Sequence, residues 1–590
     1  MDPYASLLLQ FEKSKTELNK KERTIITMRV GIVLILILSL ILLFKFENKL
    51  FFVPIGVCIL IFIYLYKKHK TLVTEIAINS NLILINREEI NFLKNNEMPW
   101  DNGNSFTDTH HPYTYDLDIF GKNSLYHYLN RCSTYFGMHS LANYLTKKFT
   151  INEILQNQNA IKELKEKLQF RQYILAVNKN NNIKQNINKI LQNWIEAESS
   201  SISKILNIIS TISPIILILA FVLYYFFNIA YMGNICTYLF LFNLLTVFGK
   251  FKLIQKEIQT FEKIHLELNQ FSSMLLTIQN ESFNNEKLIQ LQKKLQIDGI
   301  SASQSILQLS NRISNLDTIN NLPAALFMNG IFLYHIHEFR KLLEWKSKYG
   351  KYILTWFEVL GEIEALNSFA NFSFNNPEYV YPCLNNYNEI NFKNLKHPLL
   401  NKKNSVGNDM SLHKNQFILL SGSNMSGKST YLRAIGINMV LGSIGAPICS
   451  DEANICPLRI LVSMRLADSL SDSESYFFAE LKRLKMITEV LDNEACLILL
   501  DEILRGTNSD DKRNGTIGVI KKLIKKDCIG LIATHDLEVC QIADEHPEQL
   551  INKCFEAEII NDELVFDYKL RDGICKNKNA TFLMKKMNVI

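Results

Sequence analysis

The sequence lacks any paired spacing among its eleven cysteines. The two closest, Cys449 and Cys456, are seven residues apart, which fits neither a zinc-ligand pattern nor a disulfide framework. A reducing compartment is therefore expected. No small-residue cleavage site follows the first apolar run, which argues against a signal peptide. The net charge of +6 is small for 590 residues, so charge neither demands nor excludes a nucleic-acid partner.

Charged residues are absent from three long stretches of the chain. Val30–Phe44 and Leu50–Tyr66 are each close to the roughly 17–25 apolar residues that cross a bilayer. Ile205–Gly249 is too long for one span and fits two, with a turn near residues 228–234. We therefore predict two transmembrane helical hairpins, at residues 29–68 and 205–249. For the first, a helical hairpin buried in a soluble core is the alternative.

Basic residues flank both predicted hairpins on the sides that connect to the long polar segments. By the positive-inside rule this predicts a multi-pass protein of the cell (inner) membrane with its soluble domains facing the cytoplasm. A further uncharged stretch, Leu322–His337, contains Pro323 and Asn329. A buried core helix is expected there, with a fifth span as the alternative. The flanking basic residues are Lys13, Lys15, Lys20, Lys21, Arg23, Lys67, Lys68, Lys70, Lys204, Lys250 and Lys252.

A glycine-framed loop starting at Gly422 fits the phosphate-binding pattern G-x-x-x-x-G-K-[ST]. An apolar run, residues 416–421, precedes the loop, and helical spacing of apolar residues follows it. Backbone N–H groups and the helix N-terminus are expected to hold phosphate oxygens, with Lys428 on the β- and γ-phosphates of ATP and Ser429 on Mg²⁺. The predicted binding residues are Gly422, Ser423, Asn424, Met425, Ser426, Gly427, Lys428, Ser429 and Thr430.

Two further apolar runs end in polar side chains. Residues 495–500 form a predicted strand followed by Asp501, expected to hold Mg²⁺, and Glu502, expected to polarise the attacking water. Residues 529–533 form a third strand, after which His535 is placed to sense the γ-phosphate. A surface histidine is the alternative for that residue. Ligands of parallel sheets lie at the carboxyl ends of strands, so Lys428, Glu502 and His535 are the predicted catalytic residues.

Together these motifs resemble the MutS family of ATPases, which are relatives of the ABC ATPases. The resemblance implies an α/β P-loop ATPase domain with a mostly parallel sheet flanked by helices, preceded by an all-α lever and core region. The matching stretches in the ATPase part are Ser421–Thr430, His397–Leu399, Asn408–Asp409, Asp501–Glu502, Arg505–Thr507 and Ala533–His535. Those in the helical part are Leu129–Arg131, Thr134, Gly137, Gln158–Leu164 and Glu364–Ala370.

The resemblance and the apolar runs together divide the chain into consecutive segments. They are a basic cytoplasmic N-terminus (1–28), hairpin 1 (29–68), a linker with a helical segment (69–114), the first half of the core helices (115–204), hairpin 2 (205–249), lever helices (250–380) and the ATPase domain (381–590).

The resemblance also implies a homodimer in which each subunit completes the ATP site of the other. The signature segment is Asp468–Glu480, and Ser475 falls at the position that reaches the partner's γ-phosphate. Ser473 stands where the family has glycine, and Tyr476 where it has threonine. Loss of a glycine reduces backbone freedom, so slow turnover is expected.

Three features separate this sequence from the mismatch-reading members of the family. The N-terminal wedge pattern Phe-x-Glu occurs only at Phe478–Glu480, inside the ATPase part, where a structural role is expected. Hairpin 2 lies within the lever, where the family has its DNA clamp. Nor is there a basic stripe interleaved with aromatic residues of the kind that favours phosphate tracking.

Three functional hypotheses follow from the sequence. The first is a membrane-anchored ATPase acting on mismatched or structured DNA, or on a DNA-repair complex. The second is an ATP-binding membrane tether with little hydrolysis and no direct DNA contact. The third, an ABC-type transporter, is disfavoured by four predicted spans and by the absence of a Leu-Ser-Gly-Gly-Gln signature.

Overall fold

The computed structural model describes residues 3–46, 49–179, 187–197, 203–261, 264–297, 299–423, 425–465, 476–560 and 563–576. It contains a long helical region, which extends to residue 375, followed by an α/β region. A helical N-terminal part and a C-terminal part with sheets are confirmed. The exact domain boundaries given above stay predictions.

The chain begins with two helices, α1 (Pro3–Phe46) and α2 (Phe52–Asn95), each of 44 residues. At 1.5 Å per residue each is roughly 66 Å long, about twice the thickness of a bilayer core. Only about a third of each helix is the uncharged run predicted as a span. The remaining parts are more polar and pack together and against the helical region, so the helical segment expected within residues 69–114 is confirmed and is continuous with the apolar run.

The next helices form the first half of the helical core, and several begin with a side-chain cap. Thr134 caps α4, and Thr150 with Glu153 forms a reciprocal capping box on α5. The helices are α3 (Leu125–Leu129), α4 (Tyr135–Thr146), α5 (Ile151–Glu166), α6 (Leu168–Asn178) and α7 (Ile187–Glu196).

The predicted second hairpin is a pair of helices separated by residues 228–230, as expected for the turn. The elements from here to the end of the helical region are α8 (Lys204–Phe227), α9 (Tyr231–Phe248), α10 (Phe251–Phe261), α11 (His265–Asn280), α12 (Glu286–Lys293), β1 (Gln296–Ile297), β2 (Ile300–Ser301), α13 (Ala302–Asp317), α14 (Leu322–Phe332), α15 (Tyr334–Tyr349) and α16 (Ile353–Asn375).

The expectation of one buried core helix at Leu322–His337 is wrong. Helix α14 stops at Phe332 because Leu333 adopts a left-handed backbone with φ +44°, and α15 begins one residue later. Most large side chains of α14 are exposed, including Leu322 at 68% and Phe327 at 63%. Its small and polar face packs on α8 and α9 instead.

Helix α16 is the central helix of the core, with 17 of its 23 residues buried. Its Glu364 accepts hydrogen bonds from the N–H and hydroxyl of Ser133, both at 2.8 Å, and from the Thr134 hydroxyl. A Cβ at Gly137 would overlap the same carboxylate. Thr134, Gly137 and Glu364, three residues of the helical part of the resemblance, are therefore in direct contact.

The C-terminal region is a layered α/β unit. Its elements are β3 (Cys383–Leu384), β4 (Ile390–Leu395), β5 (Asn408–Leu412), β6 (Phe417–Gly422), α17 (Lys428–Ile444), β7 (Glu452–Ile455), β8 (Arg459–Ser463), α18 (Tyr476–Val490), β9 (Cys496–Asp501), α19 (Ser509–Leu523), β10 (Cys528–Thr534), α20 (Leu537–Cys540), β11 (Leu550–Ile560) and β12 (Glu563–Asp572).

Among the described residues, these strands form a six-stranded sheet in the order β12-β11-β6-β10-β9-β8 and a four-stranded sheet in the order β3-β7-β4-β5. Among the described strands of the larger sheet, only β11 and β12 pair antiparallel. Strands β6, β9 and β10 are buried along their whole length, because helices cover both faces of the sheet.

Candidate functional site

The three strands predicted from the motifs are confirmed and lie side by side. Strand β10 pairs in parallel with β6 on one side and with β9 on the other. Their carboxyl ends therefore meet at one edge, where Gly422, Asp501 and Thr534 are the last residues of β6, β9 and β10. The residues that follow these ends form the candidate site.

The glycine-framed loop curls between β6 and α17. Gly427 has φ +103° and Gly422 has φ +155°, and Met425 is also left-handed at φ +68°. A Cβ at Gly422 would lie 2.7 Å from Ser426 Oγ and 2.9 Å from the carbonyl oxygen of Phe555, so this position needs glycine. Asn424 lies outside the described residues.

Lys428, the first residue of α17, turns its side chain back into the loop. Its Nζ donates to the carbonyl oxygens of Gly422 at 2.7 Å and Ser423 at 2.9 Å. The side chain is almost fully buried, and burial is the main reason that its pKa is lowered. Its ammonium group lies 3.8 Å from the Glu502 carboxylate, which partly compensates its charge.

Ser429 and the acidic pair come together as predicted. The Ser429 hydroxyl donates to Asp501 Oδ2 at 2.5 Å. Glu502 Oε1 lies 3.5 Å from His535 Nδ1, and the half-exposed His535 ring is therefore next to the acidic pair. Arg505, whose contact with the pair was not foreseen, places Nη2 3.7 Å from Glu502 Oε2.

The two carboxylates have opposite electrostatic environments. Burial raises the pKa of Asp501, against the opposing effect of the Ser429 hydrogen bond. For Glu502 the hydrogen bond from His535 is the largest cause, and it outweighs burial to lower the pKa to about 2. Such a split between neighbouring acids is typical of functional sites.

A cavity of about 600 Å³ adjoins the loop and α17. Thr430, Met425 and Ser426 line it beside Phe555 of β11 and Tyr568 of β12. The two aromatic residues were missed from the sequence because they follow no motif and reach the site only through strand pairing. Other lining residues are His397, Asn408 and Tyr431, of which His397 has its pKa lowered to about 4 by burial.

Some predicted residues cannot be placed in the site. Ser473 and Ser475 lie outside the described residues, and Tyr476 is the first residue of α18. Glu480 has the structural role expected for the Phe478–Glu480 stretch, since its buried carboxylate accepts hydrogen bonds from the backbone of Leu504 and Arg505.

The fold and the site define an α/β protein with polar residues at a parallel-strand edge, joined to a long helical region. Residues 418–588 match the family model described as MutS domain V. This range begins in β6 and contains the loop, the acidic pair and His535. The C-terminal part of the chain is therefore similar to MutS domain V.

Similarity to individual proteins covers the same end of the chain. The "DNA mismatch repair protein MutS" of Thermotoga maritima is 30% identical over 241 residues, which are 40% of this chain and 30% of the relative. The protein of the same name from Bacillus mycoides is 34% identical over 226 residues, covering 37% and 25%. The matched part thus spans under a third of each relative, and the activities of the whole relatives are proposals for this chain.

Proposed function

We propose that this protein is a membrane-anchored, MutS-type ATPase that binds Mg-ATP at the carboxyl edge of the larger sheet. The observation that carries the proposal is the convergence of Lys428, Ser429, Asp501 and Glu502 at this edge. Phosphoryl transfer to water requires a phosphate cradle, a metal site and a group that orients the water, and the four residues match these needs.

Unpartnered polar atoms support a phosphate and metal ligand. Within the described residues, the buried hydroxyls of Ser423 and Ser426 and Oδ1 of Asp501 have no hydrogen-bond partner. Buried polar atoms are rarely left unsatisfied, so a ligand bearing oxygens and a cation fits them. Mg²⁺, when bound, would neutralise phosphate oxygens, and Ser429 and Asp501 are the oxygen donors that would hold it.

Glu502 is suited to orient and polarise the attacking water. Its low pKa keeps it ionised at neutral pH, and His535 and Arg505 fix its carboxylate from two sides. Lys428 would exchange its contacts with loop carbonyls for the β- and γ-phosphates. The aromatic cavity beside Phe555 and Tyr568 has the size and lining that suit a nucleoside.

Hydrolysis is tested with Glu502→Gln in the detergent-purified full chain. We expect Mg-ATP binding to persist while kcat falls by about 10²–10⁴-fold, the usual range for loss of a general base. Glu538→Gln, an exposed change on α20, serves as the matched control and should leave kcat unaltered. Unchanged hydrolysis in Glu502→Gln would show that the base is assigned wrongly.

Membrane anchoring is supported by the helices α1, α2, α8 and α9, which are long and apolar enough to cross a bilayer by length and composition. Helix α14 extends the same apolar surface. At roughly 16 Å it would reach about half-way through the ~30 Å hydrocarbon core.

Several polar groups between α8, α9 and α14 are satisfied internally, as a lipid environment requires. Ser213 donates to Asn243 Oδ1 at 2.6 Å, and the Asn243 amide donates to the Gly330 carbonyl at 2.8 Å. This linked set joins α8, α9 and α14.

Location is tested by cysteine labelling, because Cys383 is exposed on the α/β region. A membrane-impermeant maleimide should label the wild type in inverted inner-membrane vesicles but not in intact spheroplasts, and Cys383→Ser should lose the signal. The protein should also resist alkaline extraction. Release into the soluble fraction, or labelling from outside, would contradict the cytoplasm-facing arrangement.

The family further supports a homodimer, with Ser475 completing the partner's ATP site, and a role in DNA mismatch repair or a related DNA-repair complex. A second candidate function, ATP-dependent tethering without DNA contact, is favoured by one observation. Helix α14, between α13 and α15, packs on the apolar helices α8 and α9, so this face of α14 is covered by the second hairpin.

A salt-titrated DNA-binding assay separates the two functions. Contact with several phosphates gives a steep negative slope of log affinity against log salt. Such a slope with duplex, mismatched or branched DNA would support the repair function, whereas weak and flat binding to all three would support tethering.

A further inference from the structure

A buried carboxylate outside the candidate ATP site joins the helical region to the edge strand of the sheet. Asp116 lies between α2 and α3 and is only 3% exposed. Its Oδ1 accepts hydrogen bonds from the N–H groups of Met464 and Arg465, both at 2.8 Å, just past the end of β8. Its Oδ2 accepts one from Arg483 Nη2 of α18 at 3.0 Å. One side chain thus fixes β8 and α18 together.

Arg483 also makes hydrogen bonds to the residues that precede Asp116. It donates to the carbonyl oxygens of His111 at 2.9 Å and His110 at 3.2 Å, and to that of Val462 in β8 at 3.0 Å. The Val462 N–H in turn donates to the Pro112 carbonyl at 2.9 Å. The segment before Asp116 therefore lies along β8 and holds the middle of α18 against it.

The same helix also contacts the loop that follows the acidic pair. Glu480 lies three residues before Arg483 and is only 3% exposed. Its Oε1 accepts from the Leu504 N–H at 2.6 Å, and its Oε2 accepts from the Arg505 N–H at 3.1 Å. These contacts come two and three residues after Glu502.

The loop that carries Glu502 has a backbone conformation that needs contacts from its neighbours. Glu502 has φ +50° and Leu504 has φ +61°, and non-glycine residues keep left-handed backbones only where neighbours hold them. Arg505, fixed at its N–H by Glu480, donates from Nε to the Glu502 carbonyl at 2.9 Å. A shift of α18 would therefore move the backbone that carries the Glu502 carboxylate.

We propose that Asp116 is a positioning residue for the ATP site, acting through Arg483 and Glu480 on the loop that carries Glu502. Helix α18 is the link, so the placement of the segment between α2 and α3 sets the geometry of the water-orienting carboxylate. The kinetic test of this proposal rests on the ATPase function proposed above. The hydrogen-exchange test does not.

The kinetic test compares Asp116→Asn with the wild-type full chain. We expect kcat to fall roughly ten- to a hundredfold, because a displacement of about 1 Å at a catalytic group has effects of this size, while KM stays within about threefold. Asp492→Asn is the control. It removes an exposed pairing with Lys526 beyond the other end of α18 and should leave kcat unchanged.

The second test measures hydrogen exchange and requires no ATP turnover. Asp116→Asn should raise the exchange rate of the Leu504 and Arg505 amides, which Asp116 does not touch, while the amides of β6 keep their protection. Exchange unchanged at these amides overturns the proposal. If the wild type hydrolyses no ATP, the ATPase assignment fails, and the exchange result alone decides the role of Asp116.

A double-mutant cycle tests the route. If Asp116 acts through α18 and Glu480, then Glu480→Gln should make the kcat loss of Asp116→Asn smaller, since residues that share one route are not additive. Full additivity of the two losses in log kcat would overturn the route. If Asp116→Asn does not fold, Arg483→Gln removes the same contact from the other side and is judged by the same criteria.

Discussion

At the residue scale, Gly422 has no room for a side chain in the proposed phosphate loop. Gly422→Ala would place Cβ 2.7 Å from Ser426 Oγ and 2.9 Å from a Phe555 backbone oxygen, so the loop has to shift. We expect at least a tenfold loss of Mg-ATP affinity, corresponding to about 1.4 kcal/mol, in a titration with a fluorescent ATP analogue.

Gly518→Ala is the control, since nothing lies within 4 Å of the added carbon in α19. Affinity in Gly422→Ala equal to that of the control would mean that the loop does not hold the nucleotide.

The ionisation of Glu502 gives a second residue-scale prediction. Its folded pKa of about 2 is below the ordinary value of 4.5, so its pairing stabilises the fold above about pH 4.5. This contribution is lost as pH falls towards 2. In unfolding measurements on the full chain from pH 6 to pH 3, the wild type should lose more stability than Glu502→Gln. Equal losses would show that Glu502 is not held as an ionised group.

At this scale, the sequence predicts the site residues that belong to short local motifs. Lys428 and Ser429 belong to one motif, and Asp501 and His535 each follow an apolar strand, so strand order alone brings them to one edge. Phe555 and Tyr568 could not be predicted, because their place depends on the pairing of β11 with β6 and with β12.

At the scale of elements, the polar parts of α1 and α2 are held to α16 and its neighbours by hydrogen bonds and a buried ion pair. Glu89 of α2 pairs with Arg131, and both side chains are at most 5% exposed. Asn371 of α16 donates to the same carboxylate at 3.0 Å, and Tyr4 of α1 donates to Asn375 at 2.7 Å. The helices of the first hairpin are therefore bonded directly to the central helix of the core.

Glu89→Gln should destabilise this joint by about 3–5 kcal/mol, because it leaves the Arg131 charge buried without its partner. Glu12→Gln, which breaks a largely exposed pair with Arg87, should cost no more than about 1 kcal/mol. Chemical denaturation of the two variants in detergent measures the difference. Similar small losses in both would contradict the description of a buried joint.

The packing of α14 gives another prediction. A Cβ at Gly330 would overlap the ring of Phe240 in α9, so Gly330→Leu should separate α14 from the hairpin. Protease sensitivity near residue 330 should rise in detergent-purified protein. Gly31→Leu in α1, where nothing lies within 4 Å, should not change cleavage, and equal cleavage in both would refute the contact.

Sequence patterns predict such helices but not where they stop or what they touch. The lack of charge in Leu322–His337 is visible in the sequence, yet no residue pattern predicts the left-handed backbone of Leu333 that divides this stretch into two helices. Similarly, the apolar runs of α1 and α2 are visible in the sequence, whereas the contacts of their polar extensions with α6 and α16 are not.

At the scale of the whole molecule, a chain of contacts runs from the apolar hairpins to the strand edge. Hairpin 1 is fixed to α16, and the segment after α2 carries Asp116, which holds β8 and α18. In the proposed function, nucleotide-dependent movement at the strand edge would thus be passed to the bilayer. In the same proposal, a partner bound at the membrane side would change the ATP site, since coupling between sites is reciprocal.

The most direct test of this account is equilibrium binding of Mg-ATP to the full chain in lipid nanodiscs, compared with Lys428→Ala. We predict saturable binding to the wild type, and affinity about 10–100-fold lower in the variant, as expected for loss of a charged hydrogen bond. Absence of wild-type binding, or equal binding by both proteins, would contradict the account.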